Sequence, residues 1–254
     1  MAGGSEMELS SIIGPIFGIA SVIGTALIKH VPLSNLWGVS ALCIVGLGTI
    51  GAVVTGYPMK DVVHSVKSLG LFLKGPEINV DQLIADVERL AQLARKDGFL
   101  ALEKEVQNLQ DHFLAKGIQM LVDNTEPHVI QEVLEGEIAL LYEEEEIAAK
   151  FWEDAGAFSP TVGIIGAVLG LMVVMLNLSN PDAIGPGIAA AFIATIYGVG
   201  LANLFALPAG KKIKRMCHHK KVAREMAMIG VLGIAQSHSP KVLGERLRGM
   251  HGGH

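Results

Sequence analysis

Four long apolar stretches dominate the sequence, and no Asp, Glu, Lys or Arg interrupts any of them. Each stretch is long enough to cross a bilayer as an α-helix, because a hydrocarbon core of about 30 Å needs roughly 20 residues. Short links at 29–35 and 179–183 join the stretches in pairs. The pattern therefore predicts an all-α integral membrane protein with two transmembrane hairpins, whose four spans cover about 9–28, 36–57, 158–178 and 184–207.

Amphipathic helices are predicted between the two hairpins. Apolar residues recur at spacings of three and four from Val80 to Ala94, and again from Phe99 to Phe113 after a break at Gly98. A further helix is predicted to begin at Thr125-Glu126-Pro127 and to run towards the third span. The predicted segments are a first hairpin, a helical insert, a second hairpin and a tail, at 1–57, 58–157, 158–207 and 208–254.

The distribution of Lys and Arg predicts the orientation. Basic residues follow the second span at Lys60, Lys67 and Lys74, and many more follow the fourth span within 211–224. Since Lys and Arg accumulate on the cytoplasmic side of membrane proteins, the insert, the tail and both termini are predicted to be cytoplasmic. The segment before the first span holds Glu6 and Glu8 and no basic residue, which is unlike a signal peptide and predicts that this span is retained.

Composition agrees with a membrane protein and excludes several functional classes. Half of the 254 residues are hydrophobic, 18% are charged, and the 30 glycines suit closely packed membrane helices. The net charge of -5 gives no indication of nucleic-acid binding. Cys217-His218-His219 does not predict a metal site, because neighbouring residues on a helix point in different directions. We find no phosphate-binding loop, hydrolase motif or Cys-x-x-Cys, so we predict neither a cofactor nor an enzyme.

The spans themselves carry no side chain that would hold an ion. Ion carriers and proton relays in membranes depend on intramembrane ionisable residues, and the four spans have none of the four strongly charged types. Two alternatives follow. The chain is a structural scaffold, or a partner supplies the missing carboxylate.

Small residues and prolines mark the third and fourth spans. A partner helix or the chain's own second hairpin helix would fit against the small residues, which share one face of each span. Pro160 lies at the start of the third span and Pro208 at the end of the fourth, positions where proline commonly begins or follows a helix. The small residues that we take as candidates for partner-helix packing are Gly163, Gly166, Gly170, Ala191 and Gly198.

Several stretches together resemble the MotA/PomA family, the A subunit of the flagellar motor stator. The likeness covers nearly the whole chain in order. It is carried by Tyr57-Pro58, the segment from Arg95 to Glu103, Ser159-Pro-Thr-Val-Gly-Ile-Ile-Gly-Ala-Val-Leu-Gly-Leu171, Gly187-Ile-Ala-Ala-Ala-Phe-Ile-Ala-Thr-Ile-Tyr-Gly-Val-Gly-Leu-Ala-Asn203 and Leu207-Pro208-Ala209.

The resemblance implies an assembly and a location. In this family five A subunits surround two single-span, peptidoglycan-anchored B subunits of the MotB/PomB type, whose aspartate binds the ion. The complex lies in the bacterial inner membrane, and the insert of the A subunit engages the rotor protein FliG on the C-ring. The expected function is therefore conversion of ion flow into torque.

The resemblance also assigns roles to particular residues. Pro160 and Pro208 match prolines that couple ion flow to movement. Arg95 and Glu103 match charges that face FliG, although from the residues alone they are ordinary solvated charges. Thr195 matches a pore-side hydroxyl near the ion. Many relatives have Thr where this chain has Ala167, and the alanine form is similar to proton-driven members.

Two other functions remain open at this point. An ExbB/TolQ-like energiser also surrounds single-span partners, but the charged stretch of the insert, with Arg95 and Glu103, favours the stator. A self-contained transporter or a purely structural membrane oligomer is the alternative from a different class.

Overall fold

The computed structural model describes residues 9–74 and 79–251. Within these ranges the protein is helical and has no β-strand, which confirms the all-α prediction. Glu6 and Glu8, and the last three residues of the predicted tail, lie outside the described residues. The α-helices are α1 (Ser10–Ile28), α2 (Val39–Thr55), α3 (Met59–Lys67), α4 (Leu69–Lys74), α5 (Val80–Asp97), α6 (Glu103–Val106), α7 (His112–Val122), α8 (Pro127–Leu176), α9 (Pro181–Gly200), α10 (Leu207–Ala235) and α11 (Pro240–His251).

Three shorter segments complete the described secondary structure. They are 3₁₀ turns at Leu33–Leu36 and Phe99–Leu102 and a π-helical segment at Leu201–Ala206. The π segment joins α9 to α10 without a loop, so Pro208 is the second residue of a helix that continues for 29 residues. A helix end at Pro208, the ordinary interpretation of that proline, does not occur.

Four helical regions among the described residues are long and apolar enough to cross a membrane, as predicted. They are Ser10–Ile28, Leu33–Thr55, Pro127–Leu176 and Ile184–Ala235. Large apolar side chains on the first two regions are exposed, among them Phe17 at 70% and Leu47 at 70%. In a bilayer such side chains contact acyl chains and need no protein partner.

The chain forms two compact units that do not follow the order of the predicted segments. The membrane unit consists of Met1–Gly75 and Glu145–Arg215, and the polar unit of Pro76–Glu144 and Met216–His254. Most of the predicted tail therefore belongs to the same unit as most of the predicted insert. A shared apolar core explains this, because α5, α7, the first part of α8, the last part of α10 and α11 each contribute one apolar face to it.

Solvent does not reach the centre of the apolar core of the polar unit. Apolar side chains from all five helices lie at or near zero exposure. Two glycines allow close approach: a Cβ at Gly117 would lie 2.7 Å from Val231, and one at Gly230 would lie 2.7 Å from Val87. The central side chains are Val87, Leu90, Leu102, Leu114, Ile118, Ile130, Leu134, Met226, Val231, Leu243 and Leu247.

The second amphipathic helix of the insert differs from the prediction. The apolar pattern from Phe99 to Phe113 predicted one helix, whereas the structure has a 3₁₀ turn, the short α6 and then α7. The side chain of Asp111 explains the restart, because it accepts a hydrogen bond from the backbone N–H of Leu114 and caps α7. Apolar spacing continued across this break because both helices face the same core.

The break after α5 requires a glycine, which gives the first prediction. Gly98 has φ of 82° and ψ of 173°, a region that is essentially restricted to glycine. We expect Gly98→Ala to destabilise the polar unit by about 1–3 kcal/mol. Gly136→Ala is the matched control, since Gly136 is a helical residue with nothing near its Cβ position. It should stabilise the unit by about 0.5–1 kcal/mol.

The two alanine variants should shift the apparent melting temperature of the purified chain in opposite directions. Circular dichroism in one detergent measures both shifts. Equal shifts of the two variants would contradict the assignment of backbone strain to Gly98.

Candidate functional site

Close backbone packing joins α8 and α9 within one chain. A Cβ at Gly163 would lie 2.9 Å from the carbonyl oxygen of Ala194, and one at Gly170 would lie 2.9 Å from the backbone nitrogen of Ala191. Real Cβ atoms do not approach backbone atoms this closely, so neither position accepts a side chain without separation of the helices. Because glycine has no Cβ, the backbones of α8 and α9 can approach each other closely at these positions.

All five small residues predicted for partner-helix packing take part in this intrachain contact. A Cβ at Gly166 would lie 2.7 Å from the Cβ of Ala194, and one at Gly198 would lie 3.1 Å from the Cα of Gly163. The face that carries Gly163, Gly166, Gly170, Ala191 and Gly198 is therefore occupied by the chain itself. Ordinary packing within the hairpin accounts for these residues, and a contact with a partner helix stays a prediction.

Ala167 and Thr195 lie at one level of the α8–α9 hairpin. They directly follow Gly166 and Ala194, which face each other across the hairpin. Both are half-buried, and the Oγ1 of Thr195 donates a hydrogen bond of 3.2 Å to the carbonyl oxygen of Ala191. The hydroxyl thus donates its hydrogen within its own helix, and the lone pairs of its oxygen remain available to accept a hydrogen bond.

Pro160 interrupts the hydrogen bonding of α8 without ending the helix. Since proline has no N–H, the carbonyl of Gly156 loses its usual donor four residues later. The neighbouring Ser159 is buried, and its Oγ donates a hydrogen bond of 3.0 Å to the carbonyl oxygen of Gly198. The Cα of Pro160 lies 3.3 Å from the Cβ position of Gly198. Pro160 therefore lies directly against α9.

Pro208 and the π segment lie next to the same part of α8. A Cβ at Gly156 would lie 2.5 Å from the Cγ of Leu207, the residue before Pro208. A proline ring clashes with the carbonyl four residues before it, and the wider π turn over Leu201–Ala206 relieves that clash. The structure thus places residues next to Pro160 in contact with residues next to Pro208, although the two prolines are 48 positions apart in the sequence.

The two prolines are expected to act in coupling, and this is the second prediction. Alanine at position 160 or 208 restores a backbone N–H, which allows the regular α-helical hydrogen bond to close and stiffens the helix there. We expect Pro160→Ala and Pro208→Ala to accumulate normally but to slow rotation severalfold. Pro127→Ala is the control, because proline at the first position of α8 has no helical donor to lose.

Rotation speed of tethered cells, divided by the amount of assembled complex, measures the effect of these substitutions. Unchanged speed in both coupling variants would leave the two prolines with a packing role alone.

An aromatic cluster in the membrane unit was not predicted from the sequence. Edge-to-face contacts connect Tyr57 to Phe151 at 5.4 Å, Phe151 to Trp152 at 5.5 Å, Trp152 to Phe205 at 5.7 Å, and Phe205 to Phe72 at 6.4 Å between ring centroids. Such pairs add about 0.5–1.5 kcal/mol each. Phe151 and Trp152 are neighbours in α8, but the other rings come from α4, the π segment and the turn after α2, so no spacing in the sequence indicates the cluster. Phe205 lies in the π segment, which the cluster therefore connects to the ends of α2 and α4.

Ion pairs also hold part of the acidic run before the third span. Glu146 lies 2.9 Å from the Nζ of Lys150 and 3.5 Å from the Nζ of Lys214. The hydrogen bond from Lys150 lowers the pKa of the Glu146 carboxyl. Glu146 is therefore paired rather than merely solvated, and it joins α8 to α10.

Arg95 and Glu103 lie on either side of the glycine turn in the polar unit. Arg95 is in the last turn of α5, Glu103 is the first residue of α6, and both side chains are exposed. Among the described residues neither forms an ion pair. Arg89, six residues before Arg95, does form ion pairs, with Asp86 and Glu105. The pair with Glu105 holds α5 against α6. The exposed charges therefore stand on a rigid turn and are available to a partner.

The amino-acid sequence is similar to those of motility proteins along nearly its whole length. Motility protein A of Bacillus subtilis (strain 168) is 32% identical over 95% of this chain and 90% of its own. Motility protein A of Helicobacter pylori (strain ATCC 700392 / 26695) is 34% identical over 95% and 94%. The chain belongs to the MotA/PomA family. Chemotaxis protein PomA of Vibrio alginolyticus, at 31% identity over 95% of this chain and 94% of its own, agrees with this membership.

The structure is similar to solved members of the MotA/PomA family. The MotAB structure from C. jejuni matches with a TM-score of 0.92 and 30% identity over 96% of both chains. The flagellar MotAB stator complex from Bacillus subtilis matches with a TM-score of 0.87 and 31% identity over 95% of both. Residues 105–226 also match the model of the MotA/TolQ/ExbB proton channel family. The resemblance seen in the sequence motifs is confirmed.

Proposed function

We propose that this chain is the A subunit of a flagellar motor stator, which couples ion flow across the bacterial inner membrane to torque on the rotor. The observation that carries the proposal is the match to C. jejuni MotAB over 96% of both chains. A likeness of this extent includes both hairpins and the polar unit, so it supports transfer of the whole function rather than of one helix pair.

The composition of the spans supports a single-span partner. No Asp, Glu, Lys or Arg lies within 158–178 or 184–207, and the polar side chains of these two spans are Ser159, Thr161, Asn177, Thr195, Tyr197 and Asn203. A MotB/PomB-like subunit anchored to peptidoglycan would supply the carboxylate that takes up the ion. Several copies of this chain, five by the family resemblance, would surround two such partners.

The orientation that fits this role places the polar unit in the cytoplasm. Basic residues flank the second and fourth spans on one side, and this side is the cytoplasmic one in membrane proteins. Both termini would then be cytoplasmic, and Arg95 and Glu103 would face the rotor protein FliG. Each unit charge that crosses the membrane releases about 2.3 kcal/mol per 100 mV, so torque would arise from many small steps.

Deletion and rescue test the proposal. Deletion of the gene should abolish swimming and leave flagella assembled, and the chain should restore swimming only together with its single-span partner. Rescue by the chain alone, or full swimming of the deletion strain in the absence of other stators, would contradict the stator function.

An energiser of the ExbB/TolQ type is the second candidate, because the matching family model also includes those proteins. The whole-length similarity to motility protein A favours the stator. Normal swimming combined with a defect in outer-membrane transport on deletion would favour the energiser. Ion flux from the purified chain alone would instead favour a self-contained transporter.

The coupling ion is proposed to be the proton, which is the third prediction. Na⁺ needs several oxygen ligands to replace its hydration shell, whereas one carboxylate takes up a proton. Ala167 offers no hydroxyl, and the Thr195 hydroxyl at the same level offers one oxygen. We expect rotation at fixed pH and membrane potential to be independent of sodium. Ala167→Thr should impair proton-driven rotation or introduce sodium dependence.

Tethered-cell speed across a range of sodium concentrations measures the ion dependence. The matched control is Ala189→Thr, which adds the same hydroxyl at another half-buried alanine of the hairpin, away from the level of Thr195. This control should leave both the speed and its sodium dependence unchanged. Wild-type rotation that collapses without sodium would overturn proton coupling.

A further inference from the structure

Helix α3 carries an unpartnered apolar face immediately after the second membrane span. Met59, Val63 and Val66 follow one another at spacings of four and three and are 66%, 46% and 53% exposed. At about 100° per residue they form one sector of the helix. A continuous apolar sector of this kind differs from single exposed apolar residues, which need no explanation.

A cationic sector lies beside the apolar one. Its charges are those of Lys60 and Lys67, with His64 between them; all three side chains are exposed and follow one another at spacings of four and three. On the helical wheel this sector begins where the apolar sector ends. The acidic residue of α3, Asp61, falls on the other side, where the helix turns towards the protein.

The third sector fixes the orientation of α3 on the membrane unit. Ser65 is fully buried, and its carbonyl oxygen accepts a hydrogen bond of 2.9 Å from the Nε1 of Trp152. Val62 packs against the buried cluster that includes Val53 and Phe151. Because this side is anchored, the apolar and cationic sectors both point away from the protein.

We propose that α3 binds anionic lipid headgroups of the cytoplasmic leaflet. The helix begins four residues after α2 ends at Thr55, so it starts close to the membrane end of that span. An interfacial helix buries its apolar face about 5–10 Å into the boundary between headgroups and acyl chains. Lys60 and Lys67 then lie at the level of the lipid phosphates, with opposite charge. The inference rests on the topology of the proposed function.

Lipid selectivity of the reconstituted full-length chain tests the proposal. Spin-labelled phosphatidylglycerol and phosphatidylcholine are compared in phosphatidylcholine vesicles, at low and high salt. The test variant is Lys60→Gln/Lys67→Gln. Its control is Lys104→Gln/Lys241→Gln, which removes two exposed cations from the polar unit.

The wild type should bind phosphatidylglycerol more strongly than phosphatidylcholine. At low salt the ratio of the two affinities should fall about fivefold for each lysine that the α3 variant lacks. The control should keep the preference, and high salt should abolish it. Absence of a preference in the wild type, or an α3 variant that keeps it, would overturn the proposal.

A spin label at Val63→Cys, in a chain whose Cys43 and Cys217 are replaced by serine, separates lipid from a second copy of the chain as the occupant. Membrane-dissolved oxygen should reach this label, and it should not reach a label at Val242→Cys, an exposed site on the polar unit. Shielding of the first label from oxygen, or its cross-linking to another copy, would contradict lipid binding.

The lipid measurement uses vesicles without a rotor, so it is independent of the stator test. A chain that rescues swimming but shows no lipid preference contradicts the lipid proposal alone. A chain that prefers anionic lipid but never rescues swimming contradicts the stator function alone.

Discussion

Gly170→Val should abolish rotation by preventing the α8–α9 hairpin from closing. A Cβ at this position would lie 2.9 Å from the backbone nitrogen and 3.0 Å from the Cα of Ala191. Backbone atoms cannot rotate away as a side chain can, so the two helices must separate along their length. Overpacking typically costs about 1–3 kcal/mol, and we expect the upper end of this range where backbone atoms must move. In a bilayer no hydrophobic force between the helices offsets that cost.

Gly51→Val is the control for this fourth prediction. Gly51 also lies in a membrane helix, but nothing is found within 4 Å of its Cβ position. The measurements are the amount of folded chain extracted from the membrane, its melting temperature in detergent and the swimming speed of the cells. Normal accumulation and swimming of the Gly170 variant would contradict the close packing of α8 and α9.

Arg95→Glu and Glu103→Lys should each stop or strongly weaken rotation with little effect on folding. Both side chains are exposed and unpaired within the described part of the chain, so reversal of their charge should change stability by less than about 1 kcal/mol. A reversed charge that faces a like charge on a partner costs several kcal/mol of binding. The effect should therefore appear in torque and not in the amount of assembled stator.

Lys241→Glu is the control for this fifth prediction, since it reverses an exposed charge of the same unit on α11, outside the segment from Arg95 to Glu103. A compensating charge reversal on the rotor should restore rotation to the Arg95 or Glu103 variant. Normal swimming of both variants would mean that the two residues are merely solvated.

The membrane helices and the family could be predicted from the sequence because both depend on local patterns. A membrane helix must satisfy its own backbone and present apolar side chains over about 20 residues, which leaves a long uninterrupted signal. The same constraint explains why the small residues of α8 and α9 were visible in the sequence. Their partner was not, because Gly170 has the same spacing whether it contacts Ala191 of its own chain or a helix of another.

Three features of the structure were not predicted, two because a local signal was ambiguous and one because it depends on contacts between distant segments. Asp111 restarts a helix inside an unbroken apolar pattern. The π segment follows from the accommodation of Pro208 inside a helix that continues, and proline alone equally predicts a helix end. The bond from Trp152 to Ser65 joins residues 87 positions apart and gives α3 its orientation.

Rotation of single motors tests whether this chain and its single-span partner generate torque. A host without its own stators would express both proteins from an inducible promoter, while a bead on one flagellum reports speed. We expect speed to rise in discrete, equal steps as units join the motor, a protonophore to stop rotation, and neither protein alone to produce a step. Absence of steps with both proteins present and assembled in the membrane, or steps produced by this chain alone, would contradict the stator function.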